Sequence, residues 1–342
     1  MKLAVVLFNL GGPDSPEAVE PYLRNLFSDP AIITLPGILR KPLAGLIAKR
    51  RAPYTREIYA RIGGSSPILK ETQAQARALE TALAAPGNEI RAFVSMRCWH
   101  PFSDGAAIAV KNFDAEKIVL LPLYPQYSTT TTASSFKDWD RAAAKAALRA
   151  PTTRVCCYPT EAGFIAALAD SIRETMAKAK ADVPYRLLLS AHGLPKRVID
   201  RGDPYQAQVD QTASALVEKL GISDLDWTIC YQSRVGPLKW IGPATDAEIR
   251  RAGADGKGVI VAPIAFVSEH SETLVELDMD YLKLARESGV PDYLRAPVVG
   301  IREPFVAALA RLVSQAVASD ATACGGQACP PGRRCGFREV LP

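Results

Sequence analysis

Apolar, β-branched runs alternate with stretches of helical periodicity along the chain. Strands are predicted over residues 3–8, 90–96, 117–124 and 154–158, then over 186–190, 227–231, 259–266 and 293–296. Helical patterns lie between them, at residues 72–83, 136–149, 163–180 and 205–220. This alternation implies parallel strands whose faces are covered by helices. Two sets of four strands point to an α/β fold of duplicated halves, residues 1–155 and 156–320, followed by a tail at 321–342. Short echoes agree. Asn9-Leu-Gly-Gly-Pro follows the first strand much as His192-Gly-Leu-Pro follows the fifth, and Leu121-Pro-Leu-Tyr resembles Ala262-Pro-Ile-Ala-Phe. The echoes place His192 and His270 at equivalent strand ends, facing a cleft between the halves.

Two departures from this rhythm stand out. An insertion at residues 29–67 mixes Ile32, Ile33, Leu35, Leu43, Leu46 and Ile47 with Lys49, Arg50 and Arg51. Either it is a greasy, basic lip for a membrane or a flat apolar ligand, or its Leu and Ile cover the core. The second is an acidic segment, 269–280. On an α-helix, Glu272, Glu276 and Asp280 form one row at i, i+4 and i+8, where like charges repel unless something positive passes them. The row begins near the carboxyl end of a buried strand, the place where open α/β sheets bind ligands.

Composition narrows the field. The chain has 342 residues, 48% apolar and 23% charged, as an ordinary globular protein does. No apolar run is long enough for a membrane span, and the apolar start reads as a first strand, so a cytoplasmic protein is expected. A net charge of +5 without a recognised motif argues against nucleic acid as a partner. Asn9-Leu-Gly-Gly-Pro is not a dinucleotide fingerprint, and P-loop, nucleophile-elbow and zincin motifs are missing. Only three histidines occur, at 100, 192 and 270. His192 suits a general base or a metal ligand, and His270 leads into the acids. Imidazole with hard oxygen ligands suits Fe²⁺ in transit better than a permanent cage.

The blocks Phe8-Asn-Leu-Gly-Gly-Pro, Arg61-Ile-Gly-Gly-Ser-Ser-Pro-Ile, Leu123-Tyr-Pro-Gln-Tyr-Ser, Ser190-Ala-His-Gly-Leu-Pro, Arg201-Gly-Asp-Pro-Tyr and Tyr231-Gln-Ser-Arg-Val-Gly-Pro, with the acidic segment, resemble the ferrochelatases. The resemblance runs in order from residue 8 to residue 281. It implies two Rossmann-like halves around a cleft, and insertion of Fe²⁺ into protoporphyrin IX to give protohaem. Coproporphyrin III as substrate, or a non-catalytic porphyrin carrier, are the competing readings. Position by position, His192 matches the active-site histidine and Glu272 a carboxylate facing it across the porphyrin, both also contacting iron. Glu276 and Asp280 continue a path for iron or protons, with His270 beside it. Arg50, Arg51, Tyr59 and Ser66 match residues at the pocket mouth. Leu10, Arg97, Tyr124, Ser233, Trp240 and Phe266 match further porphyrin-binding positions. Peripheral attachment to the inner membrane and contact with neighbouring haem-pathway enzymes are further expectations.

Seven cysteines, an odd number in a chain of this size, argue against a disulfide framework. Cys324, Cys329 and Cys335 crowd a Gly- and Pro-rich tail and fit a metal or iron–sulfur site lacking one ligand. Some ferrochelatases hold a [2Fe–2S] cluster in such a tail. Where animal members place the fourth ligand this chain has Thr129, which leaves Cys157 or Cys156. Cys98 and Cys230 read as core thiols.

Overall fold

The computed structural model describes residues 1–234 and 238–319. They form two compact units, Met1–Cys157 with residues 309–319, and Tyr158–Ala308. The first unit contains β1 (Lys2–Asn9), α1 (Val19–Ser28), α2 (Gly37–Ala60), α3 (Ile68–Leu83), β2 (Glu89–Met96), α4 (Ser103–Phe113), β3 (Lys117–Pro122), α5 (Thr132–Ala146) and β4 (Thr152–Arg154). The second contains α6 (Ala162–Met176), β5 (Tyr185–His192), α7 (Lys196–Asp200), α8 (Tyr205–Leu220), β6 (Trp227–Gln232), α9 (Thr245–Ala254) and β7 (Gly258–Pro263). A π-helix (Glu272–Asp280), α10 (Tyr281–Glu287) and β8 (Tyr293–Arg295) follow, and α11 (Glu303–Ser319) closes the described chain.

Both sheets are wholly parallel, in the orders β2-β1-β3-β4 and β6-β5-β7-β8. The central strands β1 and β5 are almost entirely buried, because helices cover both faces. The duplication extends to register. Phe8 pairs with Pro122 as Ser190 pairs with Pro263, which makes Leu10 the counterpart of His192. α8 has the predicted bounds. Pro204 precedes it, and Gly221 ends it in the left-handed region at φ 63°.

Three predicted elements change. The run 154–158 is not a strand: β4 is only Thr152–Arg154, and Val155–Tyr158 are buried without extending the ladder past one bridge. Its apolar character reflects burial rather than pairing. β7 stops at Pro263, after which Ile264 donates to the Ser190 carbonyl and the chain leaves the sheet. His270 therefore lies beyond the strand, not at an end equivalent to that of His192. The insertion 29–67 is dominated by α2, which buries Ala44, Ala48, Ala52 and Tyr59. Its large aliphatics divide: Ile32, Ile33, Leu43 and Ile47 are half-buried, whereas Ile38 is 85% exposed, Leu39 58% and Leu46 51%. Among the described residues no helix is long and apolar enough to cross a membrane.

Candidate active site

β5 delivers His192 at its last residue, and β6 ends beside it at Gln232, their registers paired. Gly193 is required here. A Cβ at that position would lie 2.8 Å from the Gln232 carbonyl oxygen and 3.3 Å from the Trp240 ring. The residue after β6, Ser233, is bent into the left-handed region at φ 61°, a strained conformation for a residue with a side chain. The bend lets its amide and hydroxyl both face the acidic segment.

The acidic segment is a π-helix rather than the α-helix that the i, i+4, i+8 spacing predicts. Its last turn closes over five residues, from the Tyr281 amide to the Glu276 carbonyl, a geometry frequent at functional sites. Glu272 and Glu276 converge on Ser233. Its hydroxyl lies 3.0 Å from Glu272 Oε2 and 2.5 Å from Glu276 Oε2, and its amide donates to Glu276 Oε1 at 2.9 Å. Tyr281 donates its phenolic hydrogen to Glu276 at 2.9 Å, and Gln232 reaches the same carboxylate at 3.5 Å. Asp280 is at the exposed end of the segment.

His192 Nδ1 lies 2.8 Å from Glu272 Oε2. At that distance the two side chains are hydrogen-bonded to each other. His270 Nδ1 donates to the Ser268 carbonyl, 3.1 Å away. Phe266 separates the two histidines, its ring 6.4 Å from His192 and 4.5 Å from His270.

These contacts set the protonation of each group. Burial pulls His192 down, but the charge and hydrogen bond of Glu272, with Glu276 behind it, hold the imidazole above its ordinary value. Burial pushes Glu272 up, and the His192 charge and hydrogen bond, with His270 and Ser233, overcome it and hold the carboxyl at about 2. Glu276 moves the other way, raised by burial and by the Glu272 charge. His270 is lowered, chiefly by burial. Neighbouring carboxyls pushed in opposite directions mark sites of proton transfer.

The remaining predicted positions distribute as follows. Trp240 bridges Pro195 and keeps its indole Nε1 buried without a hydrogen-bond partner. In the first unit, Leu10 packs against the cluster of Val19, Tyr22, Ala48, Ala52 and Tyr59. Arg50 is exposed, while Arg51 lies 5.8 Å from the Phe27 ring. The Ser66 amide donates to the Pro13 carbonyl. Burial raises the Tyr124 phenol above its ordinary value. Arg97 is held by Asp29 at 2.9 Å and Ser134 at 2.7 Å. Gln232 and Tyr281 were not singled out by sequence, although Gln232 lies within the quoted Tyr231-Gln-Ser block and Tyr281 directly follows the acidic segment. Cys156 and Cys157 are buried and outside any disulfide, whereas Cys324, Cys329 and Cys335 lie outside the described residues. Among the described residues no group of three or more His, Cys, Asp or Glu could hold a metal ion.

The profile of the Ferrochelatase family matches residues 2–317. The ferrochelatase of Phenylobacterium zucineum strain HLK1 is 58% identical over 345 residues, covering 99% of each chain. That of Caulobacter vibrioides strain NA1000 / CB15N is 53% identical over 344 residues, 99% of this chain and 98% of the relative. Two solved structures share the fold. SirB from Bacillus subtilis with Fe3+ is 13% identical, with a TM-score of 0.54 over 93% of this chain and 96% of that one. The sirohydrochlorin chelatase SirB from Bacillus subtilis subspecies spizizenii in complex with cobalt is 11% identical, with a TM-score of 0.55 over 94% and 97%. At such identities they bear on the fold alone.

Proposed function

The chain belongs to the ferrochelatase family, enzymes that insert ferrous iron into a porphyrin, and from that premise we propose that it converts protoporphyrin IX to protohaem with His192 as the base. Two pyrrole protons must leave as Fe²⁺ enters. The observation that carries this reading is the 2.8 Å contact between His192 Nδ1 and Glu272. An ionised Glu272 holds the hydrogen on Nδ1, so the lone pair of Nε2 is free to accept a pyrrole proton. The same carboxylate stabilises the imidazolium that results.

The proton then has a route. Glu272, the Ser233 hydroxyl and Glu276 form a continuous hydrogen-bonded series, and Glu276 is the member most ready to be protonated. This favours protons as the cargo of the acid row, moving toward exposed Asp280. Apolar surface around the flat substrate supplies binding energy to bend it and expose the nitrogens.

The test is anaerobic turnover with Fe²⁺, followed by absorbance, with protoporphyrin IX and coproporphyrin III in parallel. A higher kcat/KM for protoporphyrin IX is expected. Preference for coproporphyrin III would reassign the substrate, and failure with both would remove the activity.

The exposed Ile38, Leu39, Leu46 and Tyr54, beside Lys41, Lys49 and Arg50, support peripheral attachment of a cytoplasmic enzyme to anionic lipid. Sedimentation with anionic but not neutral liposomes is expected, and recovery wholly in the supernatant would exclude it. A [2Fe–2S] cluster needs four ligands, usually thiolates, and buried Cys156 or Cys157 provides a soft donor of the right type. Cys324, Cys329 and Cys335 with one of these would hold it, in a structural or sensing role. Visible bands in anaerobically purified protein, lost in Cys329→Ser, would support that assignment.

A further inference from the structure

β8 does more than close the second sheet. Its first and last residues, Tyr293 and Arg295, pair with Val259 and Val261 of β7, and both side chains reach the π-helix. The Tyr293 hydroxyl donates to the Leu277 carbonyl at 2.7 Å. Arg295 donates from Nε and Nη2 to the two oxygens of Asp278 at 2.7 and 2.6 Å, and from Nη1 to Glu269 at 2.7 Å. The guanidinium is 11% exposed. It thus ties the residue before His270 to the middle of the acidic segment.

The contacts matter because of the kind of helix they hold. A turn closing over five residues has an α-helical competitor closing over four. Exchange between them turns everything beyond by about one residue, roughly 100°. The Tyr293 and Arg295 contacts are formed in the π register, and they land on Leu277 and Asp278, inside the turn that runs from Glu276 to Tyr281. A bidentate arginine fork fixes rotation as well as distance, which a point charge does not.

We infer that Arg295, assisted by Tyr293, is a positioning residue that holds Glu272–Asp280 in the π register, so that Glu272 and Glu276 stay converged on Ser233 beside His192. It acts through the acids and touches no reacting atom. The inference rests on the proton-relay reading of those acids.

Full-length Arg295→Met, Arg295→Lys and Asp278→Asn test it by two measurements. The first is amide hydrogen exchange over residues 272–280. At least tenfold faster exchange is expected in Arg295→Met, with Arg295→Lys intermediate. The second is steady-state metal insertion with its solvent deuterium isotope effect. Arg295→Met should lower kcat by about 10- to 100-fold, the cost of a small misplacement. The KM for porphyrin should stay near the wild-type value, and the isotope effect should rise as proton transfer becomes limiting. A merely structural role lowers the active fraction and leaves the isotope effect unchanged, and that result would overturn the inference. So would wild-type exchange rates over residues 272–280. If Arg295→Met fails to fold, Asp278→Asn decides by the same two readouts. Absence of turnover in the wild-type protein would sink the relay reading, while the exchange measurement still reports whether β8 holds the helix.

Discussion

The two units share strand order and register, yet treat their carboxylates in opposite ways. In the first, Asp29 is 2% exposed and closes a ring with Arg97 and Ser134, all three within 2.9 Å of one another. In the second, Glu272 and Glu276 are half-buried and share a neutral serine, and Glu272 pairs with a histidine. Arginine stays charged at any working pH, so the first arrangement is fixed. Histidine changes charge near neutrality, so the second can load and release a proton. At the position equivalent to His192 the first unit has Leu10. The fold is indifferent to chemistry at these strand ends. On the proposed reading, the permanence of the cationic partner separates a structural lock from a working site.

The comparison can be broken in several ways, beginning with the largest effect. His192→Ala should lower kcat by about 100- to 10,000-fold, the usual worth of a general base. His192→Arg, which makes the partner permanent, should be equally inactive in the same absorbance assay while remaining folded by circular dichroism. Wild-type turnover in either variant would remove His192 from the reaction. Asp29→Ala should lower unfolding free energy by about 3–5 kcal/mol, because it leaves the Arg97 charge in a largely buried setting without its partner. Denaturant titration measures this, and a loss below about 1 kcal/mol would show that the ring is not a lock. Ser233→Ala removes a hydroxyl shared by two carboxylates, worth about 1.5–3 kcal/mol. Roughly 10- to 100-fold slower turnover is expected, and an unimpaired variant would exclude the serine from the relay.

The smallest effect is a dependence of stability on pH. Glu272, ordinarily at 4.5 and held at about 2, stabilises the fold above 4.5 and loses that contribution as pH falls toward 2. His192, ordinarily at 6.5 and held higher, stabilises the fold below 6.5 and loses that contribution as pH rises through its raised value. The pair is therefore worth most between the two ordinary values. The Tm gap between wild type and Glu272→Gln should be wider at about pH 5.5 than at about pH 9. A constant gap would mean that the pair does not couple to folding.

Much of this was legible in the chain, for identifiable reasons. α8 could be bounded because Pro204 and Gly221 mark its ends, and β1 because a fully buried parallel strand is a continuous apolar run. His192 and the acids were visible as rare residue types at a strand end and at regular spacing. The π-turn was not, because residues four apart fall near one face in either kind of helix. Nor was the Asp29–Arg97–Ser134 ring, whose members are far apart in sequence and carry no spacing signal. Ser233 could be named from a motif, but its left-handed backbone could not. Arg295 has no local pattern, and its importance arises only when β8 is laid beside β7.

α2 carries several of its bulkiest aliphatics on its outer side. Its seam against the rest of the first unit is made of Tyr59 and of Ala44, Ala48 and Ala52, whose small size allows a close backbone approach, while Ile38, Leu39 and Leu46 face outward. Such a helix gains little by burying more of itself and a good deal by having its outer side covered. The free protein should accordingly be sticky in a way that denaturants do not diagnose: it would self-associate as salt rises and disperse with mild detergent, at constant fold.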